Sequence, residues 1–269
     1  MSHPFFALPT PLNIGHRGAA GVAPENTLHS FARALEEGAV ILESDVHLTR
    51  DGVPVLIHDE SLERCTDGLG AVRDHGAAEL ERLDAGYRFS PDGRSHPFRG
   101  RGHRIPTLAE ALAAFPRARF NLELKEDLPG MVARTVSVVA RAGRAHDVLL
   151  TTALDPLMAE LRQHVAAEHV GVALGASTGE VAGFAVAALR GGEPPEGPMA
   201  LQIPATFAGR PLVTRELTDF AHRHGVQVHV WTIDEEEEMR ELLALGVDGL
   251  VTDYPARLAK LIAEEPRRR

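Results

Sequence analysis

Three short stretches of this 269-residue chain put ionisable side chains where a strand covered on both faces should be apolar. In Ile41-Leu42-Glu43-Ser44-Asp45-Val46, residues two apart share a face, so Glu43 and Asp45 lie together, roughly 6 to 7 Å apart. In Phe120-Asn121-Leu122-Glu123-Leu124-Lys125 the apolar residues take one face, and Asn121, Glu123 and Lys125 take the other. In Val226-Gln227-Val228-His229-Val230-Trp231 the valines oppose Gln227, His229 and Trp231. Carboxylates so placed repel one another by roughly 2 kcal/mol per pair at an effective dielectric near 20. A cation resolves the conflict, and oxygen-only ligands point to Mg²⁺ or Ca²⁺ rather than Zn²⁺. Pairing with Arg17 and Lys125 explains any one of these carboxylates equally well, whereas Glu43, Asp45 and Glu123 together favour the metal. His16 and Arg17 end the first β-type run, and His58 ends Val55-Leu56-Ile57. A lone histidine among the chain's 14 is more often structural, but two at strand ends beside carboxylates suit proton exchange. Three carboxylates, a divalent ion, Arg17 and Lys125 leave one positive charge in excess, which a singly charged phosphate diester would neutralise.

Positioning such groups requires strands that end at a common edge. Eight β-type runs, at residues 12–16, 40–46, 119–125, 148–152, 170–174, 200–203, 226–232 and 249–252, alternate with helical stretches. Residues 54–58 form an additional extended segment. Helical patterns occupy 28–37, closed by Gly38, and 108–114, 131–142, 156–164, 215–224 and 255–264. Asp234 precedes the acidic run 235–238, which reads as the dipole-compatible first turn of a further helix rather than as a binding patch. The alternation predicts a (β/α)₈ TIM barrel over residues 1–269, with catalysis at its carboxyl edge and polar side chains pointing inward. Residues 60–105, with Asp67-Gly68 and Pro91-Asp92-Gly93, break the rhythm and read as an insertion beside the barrel mouth. The Gly- and Pro-rich stretch 191–198 reads as a plain connection, and Arg267, Arg268 and Arg269 as a solvated tail.

Composition narrows the classes. Apolar residues make up 44% of the chain and its net charge is −10, which argues against nucleic acid as a partner. No apolar run is long enough to span a bilayer. The single cysteine, Cys65, cannot form an internal disulfide, and residues 1–15 lack the pattern of a secretory signal, so a cytoplasmic protein is expected.

The motifs His16-Arg17-Gly18, Pro24-Glu25-Asn26-Thr27, Glu43-Ser44-Asp45-Val46, Thr49-Arg50-Asp51-Gly52, 54–59, Ile105-Pro106-Thr107-Leu108, 121–125, Trp231-Thr232 and 246–255 span nearly the whole chain in order. As an ordered set they resemble the glycerophosphodiester phosphodiesterases. The resemblance implies a barrel with a small insertion between its second and third strands, hydrolysing glycerophosphodiesters to glycerol 3-phosphate and an alcohol. It implies Glu43, Asp45 and Glu123 as ligands of Mg²⁺ or Ca²⁺, and His16 and His58 as proton carriers. Arg17 and Lys125 would hold the phosphate, Trp231 would wall the glycerol or alcohol portion or serve as a core aromatic, and Glu25 would act from behind. Asn26 or Thr27 caps the helix that follows. Cys65 and Asp234 depart from the family pattern, which more often has threonine and asparagine there. Two other readings remain. One is a lysophospholipase D-like hydrolysis, for which Leu83, Tyr87, Phe89 and Phe98 of the insertion would line an apolar groove or else form a satellite core. The other is a barrel that binds metal and phosphate without catalysis.

Overall fold

The computed structural model describes residues 3–264, and the terminal arginines 267–269 lie outside them. In chain order the elements are β1 (Leu12–Gly15), α1 (Leu28–Glu36), β2 (Ile41–Leu48), β3 (Pro54–Leu56), α2 (Ala77–Leu80), α3 (Leu108–Ala114) and β4 (Arg119–Leu124). They continue with α4 (Met131–Arg141), β5 (Val148–Thr151), α5 (Asp155–Ala167), β6 (Ala173–Leu174), α6 (Thr178–Arg190) and β7 (Ala200–Pro204). The remainder are β8 (Thr206–Phe207), β9 (Arg210–Pro211), α7 (Arg215–Arg223), β10 (Gln227–Trp231), α8 (Glu236–Ala244), β11 (Gly249–Thr252) and α9 (Pro255–Glu264).

Eight parallel strands run in the order β6-β5-β4-β2-β1-β11-β10-β7, and the Met199 N–H donates to the Leu174 carbonyl at 2.9 Å across the remaining seam. The result is a nearly closed (β/α)₈ barrel. Register fixes the site: Glu43 lies opposite Asn121 and Asp45 opposite Glu123, while Gln202 lies opposite His229. Outward residues of β2 and β4, such as Leu42, Val46, Phe120 and Leu122, pack under α1, α3, α4 and α5 in one large cluster. A second cluster joins the outward faces of β7 and β10 to α6 through α9. The inward faces are not polar throughout. Leu12, Ile14, Ile41, Leu149, Ala173, Ala200 and Val251 fill the amino end of the barrel around Phe5, which is fully buried. Polar inward residues occupy the rest of the lumen, because side-chain layers alternate between neighbouring strands.

Two local expectations need correction. Residues 178–190 form α6, opened by a Ser177/Glu180 capping box that the sequence reading passed over. The fifth run shrinks from 170–174 to two residues. The acidic run does open α8, with Glu235 at its N-cap, and the Asp234 side chain before it accepts from the Asp253 N–H and the Thr252 hydroxyl. Thr27, not Asn26, caps α1.

The segment between β3 and β4 has its own small core of Val55, Ile57, Leu62, Val72, Leu80, Ala85 and Ile105, with Leu83 packed against it. Its aromatic residues engage one another and nearby cations: Phe89 meets Phe98 edge-on at 5.3 Å, and the Arg99 guanidinium stacks on Tyr87 at 4.1 Å. Among the described residues, no helix is long and apolar enough to cross a membrane.

Candidate active site

His16 leaves β1 still paired to β11, its N–H donating to the Thr252 carbonyl at 2.9 Å. That brings its Nδ1 to 2.7 Å from Asp253 Oδ1. Burial works against charging this imidazole, but the Asp253 hydrogen bond and the charge of Glu43 outweigh it and raise its pKa. Arg17 follows in the left-handed region, at φ 48. It is held there because its carbonyl accepts from the Asn26 N–H and the Ser30 hydroxyl. So fixed, its N–H donates to Glu43 at 3.0 Å, while its guanidinium reaches Glu25 at 3.1 Å and Asp45 at 3.5 Å.

Glu43 and Asp45 share the inward face of β2. Burial first, and repulsion by Asp45 second, push the Glu43 carboxyl up to about 7. Asp45 accepts from Asn26 at 3.2 Å, and Asn26 in turn accepts from the Ser44 hydroxyl at 2.6 Å. At the end of β4, Lys125 continues the pairing with β2, and its ammonium lies 3.1 Å from Glu123 and 3.5 Å from Asp45. Burial disfavours its charge, but these two carboxylates prevail and raise its pKa. Among the described residues, no three His, Cys, Asp or Glu side chains are gathered closely enough to hold one ion as they stand. The Lys125 ammonium sits between two of the three candidate ligands.

β3 runs antiparallel to β2, and the Ile57 N–H donates to the Asp45 carbonyl at 3.1 Å, which returns His58 to the same rim. His58 Nδ1 is 2.6 Å from Asp59 Oδ1, and the backbone carbonyl of His58 lies 3.0 Å from His47 Nε2. With Nδ1 of both His16 and His58 committed to a carboxylate, Nε2 is the position left for proton exchange. Trp231 closes β10 at the rim, 44% exposed.

Asp253, Asp59, Arg64 and Gln202 belong to this constellation without being singled out by the sequence. Asp253 supports His16 and Asp59 supports His58, although both lie inside the quoted motifs. Glu25 is placed between Arg17 and Arg64, whose guanidinium holds its two oxygens at 2.6 and 2.7 Å. Deeper in the lumen, the Gln202 amide donates to Asn121 at 2.5 Å across the barrel, and His229 is buried beside Gln227.

Carboxylates, two cations and two carboxylate-backed imidazoles at the carboxyl rim of a parallel barrel have the layout of a barrel phosphoesterase. The model of the glycerophosphoryl diester phosphodiesterase family matches residues 16–257. The chain belongs to that family of phosphoric diester hydrolases. It is 32% identical to a glycerophosphodiester phosphodiesterase of Caldanaerobacter subterraneus over 93% of this chain and 97% of that protein. It is 28% identical to the human lysophospholipase D GDPD1, over 91% of this chain and 84% of that one. Among solved structures, an Oleispira antarctica phosphodiesterase in complex with the product sn-glycerol-3-phosphate matches with a TM-score of 0.72 and 27% identity, covering 94% of this chain and 97% of that chain.

Proposed function

We propose that this chain hydrolyses glycerophosphodiesters to glycerol 3-phosphate and an alcohol, with His16 and His58 exchanging protons and with a divalent cation on Glu43, Asp45 and Glu123. The observation that carries the reading is the pair of rim imidazoles, each hydrogen-bonded through Nδ1 to its own carboxylate, flanking Arg17 and Lys125. A pure binding protein needs the cations but not two proton carriers.

The donor set fits a hard ion. All three side chains offer carboxylate oxygens, and the buried Glu43 accepts from the backbone of Arg17 while its carboxyl stays short of compensating charge. Mg²⁺ or Ca²⁺ held there would supply electrophilic polarisation of the phosphate and acidify a glycerol hydroxyl. Lys125 turns its ammonium from Asp45 and Glu123 towards the phosphate, and with Arg17 it balances the charge developing on the phosphoryl oxygens. One imidazole takes the proton of the glycerol hydroxyl as its oxygen bonds to phosphorus. The other gives a proton to the alcohol oxygen as its bond to phosphorus breaks. Water then opens the cyclic phosphate with the two imidazoles in exchanged roles. Trp231 offers its exposed face to the carbon skeleton of the substrate.

Incubation of the purified protein with glycerophosphocholine tests the reading. Release of glycerol 3-phosphate is expected, lost with a chelator and regained with Mg²⁺ or Ca²⁺, while circular dichroism stays unchanged. No release with either ion would overturn it, and unfolding on chelation would make the ion structural. The cyclic route requires a transient cyclic glycerol phosphate in quenched reactions; its absence favours direct attack by water. The relative named as a lysophospholipase D supports a second reading, separated by lysophosphatidylcholine as the competing substrate. The mutual packing of Phe89, Phe98 and the stacked Tyr87 favours the smaller, soluble diester.

A further inference from the structure

Neither proton transfer nor phosphate binding, as described above, calls on Arg64. Yet this side chain touches the supports of both. It lies in the segment between β3 and β4, and its fork donates to both oxygens of Glu25, at 2.6 and 2.7 Å, and to both oxygens of Asp59. Glu25 Oε1 also accepts from the Arg17 guanidinium at 3.1 Å, and Asp59 Oδ1 is 2.6 Å from His58 Nδ1. One guanidinium thus closes an unbroken chain, Arg17–Glu25–Arg64–Asp59–His58, from the phosphate-binding cation to a proton carrier.

We propose that Arg64 is a positioning residue of the reaction, fixing His58 relative to Arg17 by holding Asp59 and Glu25 in a single fork. The inference rests on the roles assigned to His58 and Arg17 above. Planar, multidentate geometry is what the site uses: four donor–acceptor contacts to two carboxylates need the fixed fork of arginine, and a lysine ammonium cannot reproduce it. Without Arg64, Asp59 keeps only the imidazole it is meant to orient, and Glu25 keeps only the guanidinium it is meant to hold. Both reacting groups then gain freedom, and misplacement of about 1 Å costs on the order of 10²-fold in rate. The Arg64 side chain is 45% exposed, so its ion pairs add little to folding. A loss of rate in its variants therefore does not pass through unfolding.

The test compares Arg64→Ala and Arg64→Lys with the wild-type chain. Expected is a fall in kcat of about 10²-fold in both variants at nearly unchanged Tm, with KM moved much less, and partial recovery of Arg64→Ala by added guanidinium ion but not by ammonium. In an Asp59→Asn background the further cost of Arg64→Ala should shrink, because the two act through one contact. Wild-type kcat in Arg64→Ala, or full activity in Arg64→Lys, would overturn the proposal. A wild-type chain that releases no glycerol 3-phosphate would instead overturn the reading beneath it. The positioning claim would then be decided by a crystal structure of Arg64→Ala: displaced His58 and Arg17 side chains support it, and unchanged ones refute it.

Discussion

At the scale of single residues, the chemistry depends on holding an imidazole by one nitrogen so that the other is free. His16 shows how opposing effects settle: burial favours the neutral ring, yet the carboxylate of Asp253 at 2.7 Å and the nearby Glu43 stabilise the imidazolium more. Removing the Asp253 charge should therefore lower the His16 pKa. In Asp253→Asn, the inflection that His16 contributes to the pH profile of kcat/KM is expected to move to lower pH, whether His16 acts first as acid or as base. A profile superimposable on that of the wild type would show that Asp253 does not tune it. Removing the rings themselves is more severe. His16→Ala and His58→Ala should each cost roughly 10²- to 10⁴-fold in turnover, and turnover within a few-fold of wild type in both would exclude proton transfer by these residues.

At the scale of elements, the site is made by strand ends and the turns that leave them. The β1 turn is the tightest: a Cβ on Gly15 would lie 2.6 Å from the Gly18 carbonyl oxygen and 2.9 Å from the Ala34 Cβ. Something must shift, and the mobile part is the next two residues, His16 and Arg17. Gly15→Ala should lower both Tm and activity, the latter by about 10²-fold, and a crystal structure should show the Arg17 N–H withdrawn from Glu43. Activity equal to wild type would mean that the turn relaxes without moving the site. The strands that build the rim were legible because a period of two survives in sequence: Glu43 and Asp45, or Asn121, Glu123 and Lys125, announce an inward polar face. α6 was not legible. Its Gly179 and Gly183, with a nearly continuous run of Val, Ala, Phe and Leu, blur the 3.6-residue period, and only Ser177 followed by Glu180 marks its start. Partnerships were less legible still. Asp253 meets His16 across 237 positions of sequence, and Arg64 is one of many arginines until folding brings Glu25 and Asp59 to it. Residue type and spacing reveal which groups a strand presents, but not which loop from a distant part of the chain will support them.

At the scale of the whole molecule, two groups inside the barrel make stability depend on pH with opposite sign. His229 is 1% exposed, and burial pushes its pKa from 6.5 down to about 4. Between these values the unfolded chain binds more protons, so this contribution is complete above 6.5 and is lost as pH falls through 4, amounting to about 3 kcal/mol at the acid limit. Glu43, raised from 4.5 to about 7, behaves conversely: the folded chain retains a proton that the unfolded chain releases, so its contribution is complete below 4.5 and is lost as pH rises through 7. Between 4.5 and 6.5 the two slopes oppose each other. Glu25 and Asp59, both held near 2, act only below that window, and His16, with its raised pKa, acts mainly above it, while inside it burial lowers His103, which adds to the His229 slope, and raises Asp234, which adds to the Glu43 slope. In the presence of chelator, the unfolding free energy of the wild-type chain should therefore change little across this interval. His229→Gln should grow more stable towards its acid end, and Glu43→Gln less stable. Added Mg²⁺ or Ca²⁺ should make the wild-type chain follow the Glu43→Gln curve, because a cation-bound carboxylate stays ionised. Urea titrations at closely spaced pH values measure all four curves. Parallel curves would show that neither buried group titrates there, and a wild-type curve indifferent to either ion would remove Glu43 from the set of metal ligands.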